Sequence, residues 1–192
     1  MKKIFLFTGF YLFLALTAFS QNIPFDKAYF KQDKQGLKAA NDNIKKGDEY
    51  FELGEYYAKE AIPFYEAAQA FNPNNAGLNY KLGVSYFFDH QDNKAIPRLK
   101  KAIELNPSVM QDVEYYLGKS YQRTMQWELA ISTYKKYGAS LSPEQTKESK
   151  LTNKLIQECK TGEELMANPV RVWIDNMGPE INTKYHEYGV TI

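Results

Sequence analysis

The segment "AIPFYEAAQAFNP" at residues 61–73 returns 34 positions later as "AIPRLKKAIELNP" at 95–107. A chain that repeats one short amphipathic segment at a fixed distance is committed to stacking copies of one unit, because a single unit cannot bury its apolar face alone. The unit is longer than these thirteen residues. "NYKLGVSYFF" (79–88) is answered by "EYYLGKSYQR" (114–123), so that Gly83 aligns with Gly118, Leu82 with Leu117 and Tyr86 with Tyr121. Twelve residues after each glycine stands an alanine, Ala95 or Ala130, and four further on a large residue, Leu99 or Tyr134. Pro107 and Pro143 close these two units. An earlier, looser copy matches at Gly47, Tyr50, Ala61, Tyr65, Ala68 and Pro73, with two extra residues between Gly47 and Ala61.

A period of 34–36 residues carrying Leu-Gly-x-x-Tyr, Ala-x-x-x-Phe/Tyr/Leu and Pro resembles the tetratricopeptide repeat. The resemblance implies an all-α helical solenoid, with three helix-turn-helix units over residues 38–142. Gly and Ala at facing positions would let the two helices of a unit approach closely, and the Tyr and the large residue would fill the remaining space. Asn-Pro would stop each second helix. Pro63 and Pro97 cost little only if the second helices begin within a residue or two of Ala61 and Ala95. Residues 143–167 then predict a capping helix, with Ser142 as its cap, Pro143 in first position, and Leu151, Leu155 and Cys159 on its apolar face. Residues 21–37 form a lead-in segment.

Both ends depart from this frame. "MKKIFLFTGFYLFLALTAFSQ" has a basic start at Lys2 and Lys3, an apolar run from Ile4 to Ala18, and small residues at Ala18 and Ser20. That pattern predicts a signal peptide over 1–20, cleaved before Gln21, and therefore an exported protein of the periplasm; the other reading of the run is an uncleaved membrane anchor. At the far end, Val170, Val172 and Ile174 alternate with Arg171 and Trp173 as in a strand, and Asn176-Met177-Gly178-Pro179 reads as a turn. The sequence stops at "YGVTI" with no partner strands, so residues 168–192 are expected to be a linker and the start of a further β domain. The combination of an exported repeat region with Asn168, Pro169, Gly178, Pro179, Ile181, Asn182, Tyr185, Glu187 and Tyr188 is similar to Bacteroidetes-type envelope proteins. In those, tetratricopeptide repeats precede a TolB-like β-propeller and an OmpA-like peptidoglycan-binding domain. The resemblance implies an outer-membrane-associated scaffold of type IX secretion or gliding type, with a peptidoglycan link through a C-terminal domain.

No catalytic constellation emerges. His90 and His186 are far apart, and "DHQDN" (89–93) reads as the turn between two helices, with Asp92 or Asn93 capping the second. The single cysteine, Cys159, allows no internal disulfide and no multi-cysteine metal site, and its place on an apolar helix face makes it a buried thiol. No enzyme activity, cofactor or metal is expected. Net charge is +1, and Lys2 and Lys3 are the only charges of the leader, so its removal leaves −1; neither value favours nucleic acid or an anionic membrane surface.

What remains is a binding surface. With 15 Tyr and 12 Phe the chain is rich in aromatics. The repeat resemblance places Asp48 and Phe51, then Tyr80, Val84, Phe87 and Phe88, then Tyr115, Lys119, Gln122 and Arg123 along a concave groove made by the first helices. Ile44, Tyr80 and Tyr115 stand where some relatives carry a carboxylate clamp, so the groove is expected to take a protein or peptide through aromatic anchors. Packing between adjacent helices is the competing role for each of these aromatics. A SusD-like glycan-binding component and the regulatory front of a propeller-containing peptidase are the alternative functions.

Overall fold

The computed structural model describes residues 21–170, and among them the ordered elements are helical throughout. Seven α-helices follow in order: α1 (Lys34–Phe51), α2 (Ala58–Phe71), α3 (Ala76–Phe88), α4 (Asp92–Leu105), α5 (Val113–Arg123), α6 (Trp127–Ser140) and α7 (Thr146–Ala167). A 3-10 turn, Glu55–Tyr57, precedes α2. Each helix packs on the next, and α1 also meets α3 as α3 meets α5. The expected all-α solenoid of helical pairs is what forms. The expected leader (1–20) and the tail from Arg171 onward, for which a strand and a propeller start were expected, lie outside the described residues.

The glycine frame explains the pairing. A Cβ on Gly47 would stand 2.5 Å from the ring of Tyr65, one on Gly83 2.8 Å from Leu99, and one on Gly118 2.7 Å from the ring of Tyr134. Each glycine therefore makes room for the large residue of the second helix, rather than for its alanine as the alignment suggested. Ala61, Ala95 and Ala130 are fully buried in the same seam, as are Tyr65, Leu99 and Tyr134. The central helix α3 is flanked by α1, α2, α4, α5 and the 3-10 turn, and is accordingly buried around most of its circumference.

Boundaries differ from expectation where local hydrogen bonding overrides the repeat frame. The first helix begins at Lys34, ahead of the expected unit, because the Asp33 carboxylate accepts from Gly36 N at 2.7 Å and caps it. The lead-in segment docks on the α2–α3 turn: Ile23 N donates to Asn74 O at 2.7 Å, and Asn72 and Asn75 both donate to Ile23 O. Phe30 packs against Phe71 at 4.8 Å between centroids. The second helices start at Ala58 and Asp92, three residues ahead of Ala61 and Ala95, so Pro63 and Pro97 lie inside them. Their missing N–H groups leave the carbonyls of Lys59 and Asn93 to solvent, on residues that are exposed.

Three local expectations are corrected. Neither Asp92 nor Asn93 caps α4; Gln91 occupies that position without a side-chain capping bond, its amide donating instead to Asp89, and Asp92 is the first helical residue. The last helix starts at Thr146 rather than at Pro143, since Ser142–Gln145 close a turn of their own, with Gln145 N donating to Ser142 O at 3.0 Å and Ser142 N donating to Gln145 Oε1 at 2.9 Å. Leu151 is exposed, and Thr152 takes its expected place beside buried Leu155 and Cys159. Thr152 satisfies its hydroxyl on Glu148 O at 2.7 Å.

Candidate functional site

The two extra residues of the first unit decide where the surface opens. In units two and three the second helix starts nine residues after the frame glycine, at Asp92 and Trp127; in unit one it starts eleven after, at Ala58. The added length forms the 3-10 turn Glu55–Tyr57, which stands against α3. Glu55 and Tyr56 of that turn face Phe87, Phe88 and His90 of unit two and Tyr115, Tyr116 and Arg123 of unit three, enclosing an open cleft of about 530 Å³.

Its wall is a continuous aromatic array. Phe88 meets Tyr116 edge-on at 5.6 Å between centroids, Phe87 meets Tyr116 at 5.2 Å, and Tyr115 meets Tyr116 at 5.4 Å. Tyr115 leans on Tyr137 of α6 at 5.6 Å. Such edge-on pairs hold the rings in fixed orientation. Tyr56, by contrast, is 81 % exposed and touches only Tyr57 among the described rings, at 5.2 Å.

Arg123 closes one end. Its guanidinium lies 3.8 Å over the Phe87 ring, donates through Nη1 to Phe87 O at 2.7 Å, and stands 3.6 Å from Asp92 Oδ1. Glu55 marks the other end and has no ion pair or side-chain hydrogen bond among the described residues. Burial raises the Tyr115 phenol above its ordinary value; the Glu55 charge adds to that and Arg123 opposes it. Tyr116 is pushed up to about 12, by burial first, then by Asp112, with Tyr115 and Glu55 adding.

Of the residues anticipated as groove lining, Phe87, Phe88, Tyr115 and Arg123 reach this cleft. The others have structural partners. Tyr80 is 7 % exposed and donates its hydroxyl to Asp112 Oδ1 at 2.7 Å; Val84 is 1 % exposed. Phe87 is itself 4 % exposed and forms the base of the cleft rather than an anchor. Asp48 accepts from the Tyr65 hydroxyl at 2.6 Å and pairs with Lys81 at 2.7 Å, and Phe51 packs edge-on against Tyr65. Gln122 accepts from the Tyr134 hydroxyl at 2.7 Å, and Lys119 is half-buried outside the cleft. Glu55, Tyr56, His90 and Tyr116 are the lining residues not anticipated.

Among the described residues no group of His, Cys, Asp and Glu is placed to hold a metal ion, and no helix is long and apolar enough to cross a membrane. Cys159 is buried, and burial raises its thiol above the ordinary range, so it is held as a neutral packing group.

No known family's sequence profile matches the chain. No curated protein sequence is similar to it either. Among solved structures it is similar to the crystal structure of MamA protein, at 23 % identity over 78 % of this chain and 86 % of that one, with a TM-score of 0.49. A second crystal structure of MamA is similar at 22 % identity over 74 % and 86 %, with a TM-score of 0.48. The chain's own three helical pairs, joined by a glycine and a large residue at the same places in each, make it an all-α solenoid of tetratricopeptide type.

Proposed function

We propose that this chain is a non-enzymatic, exported protein-interaction scaffold and that the aromatic cleft between the 3-10 turn, α3 and α5 holds its partner. One observation carries the reading: the two-residue excess of the first unit puts Glu55 and Tyr56 opposite the aromatic wall of the next two units. A concave, largely aromatic surface desolvates a ligand from several sides, and such anchors supply most of the energy of a protein interface.

The reading of where the chain acts rests on both ends of its sequence. The Lys2-Lys3 start, the apolar run to Ala18 and the small residues before Gln21 support export to the periplasm. The tail from Asn168 to Tyr188 supports a subunit of an outer-membrane and cell-wall-associated complex, of type IX secretion or gliding type, with the peptidoglycan link supplied by a C-terminal domain.

The test pairs localisation with capture. Fractionation should find the chain in the periplasm with Gln21 as its first residue. The chain from Gln21 to Ile192, immobilised, should retain a defined protein from envelope extract, and Tyr56→Ala with Tyr115→Ala should release it while the circular dichroism stays helical. Undiminished capture by the folded double variant would place the partner elsewhere.

A further inference from the structure

The cleft carries two charges of opposite sign, and only one of them is already answered within the fold. Arg123 is matched three ways, by the Phe87 ring, by the Phe87 carbonyl and by the Asp92 carboxylate. Glu55 is matched by none among the described residues. Around it stand Tyr56, Tyr115 and Tyr116, whose hydroxyls also have no hydrogen-bond partner among the described residues. Ring faces are electronegative and phenolic oxygens accept hydrogen bonds, so the unanswered chemistry of the cleft is that of a cation receptor.

We propose that the cleft binds a basic side chain, an arginine presented on an extended segment of the partner protein; this rests on the cleft being the partner site. A guanidinium is planar and weakly hydrated. It can lie flat against a tyrosine face while its edge donates two parallel hydrogen bonds to the Glu55 carboxylate. A lysine ammonium would use the charge but not the plane, and binds more weakly. The bound Asp92 partner shields Arg123, so that its charge does not exclude a second cation. An acidic peptide would meet the Glu55 carboxylate and three ring faces, all of which repel it.

The probes are three blocked tripeptides, acetyl-Ala-X-Ala-amide, with X as arginine, citrulline or glutamate. Citrulline keeps the shape of arginine without its charge. With the chain from Gln21 to Ile192, the tyrosine ring resonances report binding. The arginine peptide should shift the Tyr56, Tyr115 and Tyr116 signals saturably, and raised salt should weaken it. The citrulline peptide should bind about fivefold more weakly, the scale of one exposed ion pair. Glu55→Gln should weaken the arginine peptide to the same extent and leave the citrulline peptide unchanged. Equal binding of arginine and citrulline peptides, preference for glutamate, or shifts confined to other tyrosines would each overturn the inference. If the arginine peptide fails while Tyr56→Ala with Tyr115→Ala still abolishes partner capture, the scaffold reading stands and the cation reading falls.

Discussion

Arg123 holds Phe87 by both its ring and its backbone: the guanidinium stacks 3.8 Å over the ring and donates to the carbonyl of the same residue at 2.7 Å. The two residues belong to equivalent helices one unit apart, so this contact ties unit three to unit two. It also stands 3.6 Å from Oδ1 of buried Asp92, an oxygen with no hydrogen-bond partner among the described residues.

Removing Arg123 therefore takes the cationic neighbour from a buried carboxylate oxygen and a charge-assisted bond from the Phe87 carbonyl, which keeps only its bond from His90 N at 3.2 Å. Arg123→Ala should lower unfolding free energy by about 2 kcal/mol, the scale of a charge-assisted hydrogen bond with desolvated partners. Arg123→Lys should recover less than half, because an ammonium cannot stack and donate in one plane. Urea melts of the two variants decide it; a fully restored lysine variant would mean that charge alone matters.

The sequence alone makes the repeat legible because Gly83, Ala95 and Leu99 recur as Gly118, Ala130 and Tyr134, and each unit solves one packing problem the same way. Burial of the groove residues was not legible, because a repeat position does not have one environment. Tyr80 and Tyr115 both lie three residues before the frame glycine. Tyr80 sits on α3 between two other first helices and finds Asp112 of the next unit; Tyr115 lies half-buried against Tyr137. The cleft itself arose from the two-residue excess in unit one. That excess was visible in the alignment, but which way it would fold depends on contacts with α3 that no local pattern encodes.

Gly54, His90 and Met125 all stand seven residues after the frame glycine, and all three have positive φ, at 96°, 56° and 58°. A positive φ turns the chain between the helices of each unit; Gly54 combines it with an extended ψ of −173°, a conformation kept to glycine, whereas His90 and Met125 place side chains in the left-handed region. Histidine tolerates this region better than methionine does. Met125→Gly should therefore stabilise the fold by about 0.5–1 kcal/mol, the relief of left-handed strain less the added entropy of the unfolded glycine. His90→Gly should gain less. Met125 is exposed, so little packing is lost. A destabilised Met125→Gly would show that its side chain contributes more than its backbone strain costs.

Gly118 and Gly77 give opposite expectations for one substitution. An added Cβ at Gly118 meets the Tyr134 ring at 2.7 Å, whereas at Gly77 the nearest atom is Asn75 Oδ1 at 3.5 Å. Gly118→Ala should cost about 1–3 kcal/mol through overpacking of the seam. Gly77→Ala, on an exposed helical position, should gain about 0.5–1 kcal/mol from helix propensity. Thermal melts of the pair test the assignment; equal effects would mean the seam yields without loss.

Alkaline pH should unfold the chain through its tyrosines. Burial, above all, pushes the phenols of Tyr65, Tyr80 and Tyr134 far above their ordinary value, and hydrogen bonds to Asp48 and Asp112 add to this for the first two. The unfolded chain ionises these phenols near pH 10, while the folded chain retains their protons. Above that pH the folded state binds more protons than the unfolded one, so stability is fully present below about pH 10 and falls as pH rises. Each retained proton steepens the fall by at most about 1.4 kcal/mol per pH unit, and three make it about 4. Phenolate absorbance followed beside circular dichroism should show these tyrosines ionising together with the loss of helix. Tyr80→Phe should flatten the alkaline slope by about one proton, even though it also loses the bond to Asp112. Complete ionisation of Tyr65, Tyr80 and Tyr134 in a chain that keeps its helical signal would show that the seams admit water without unfolding.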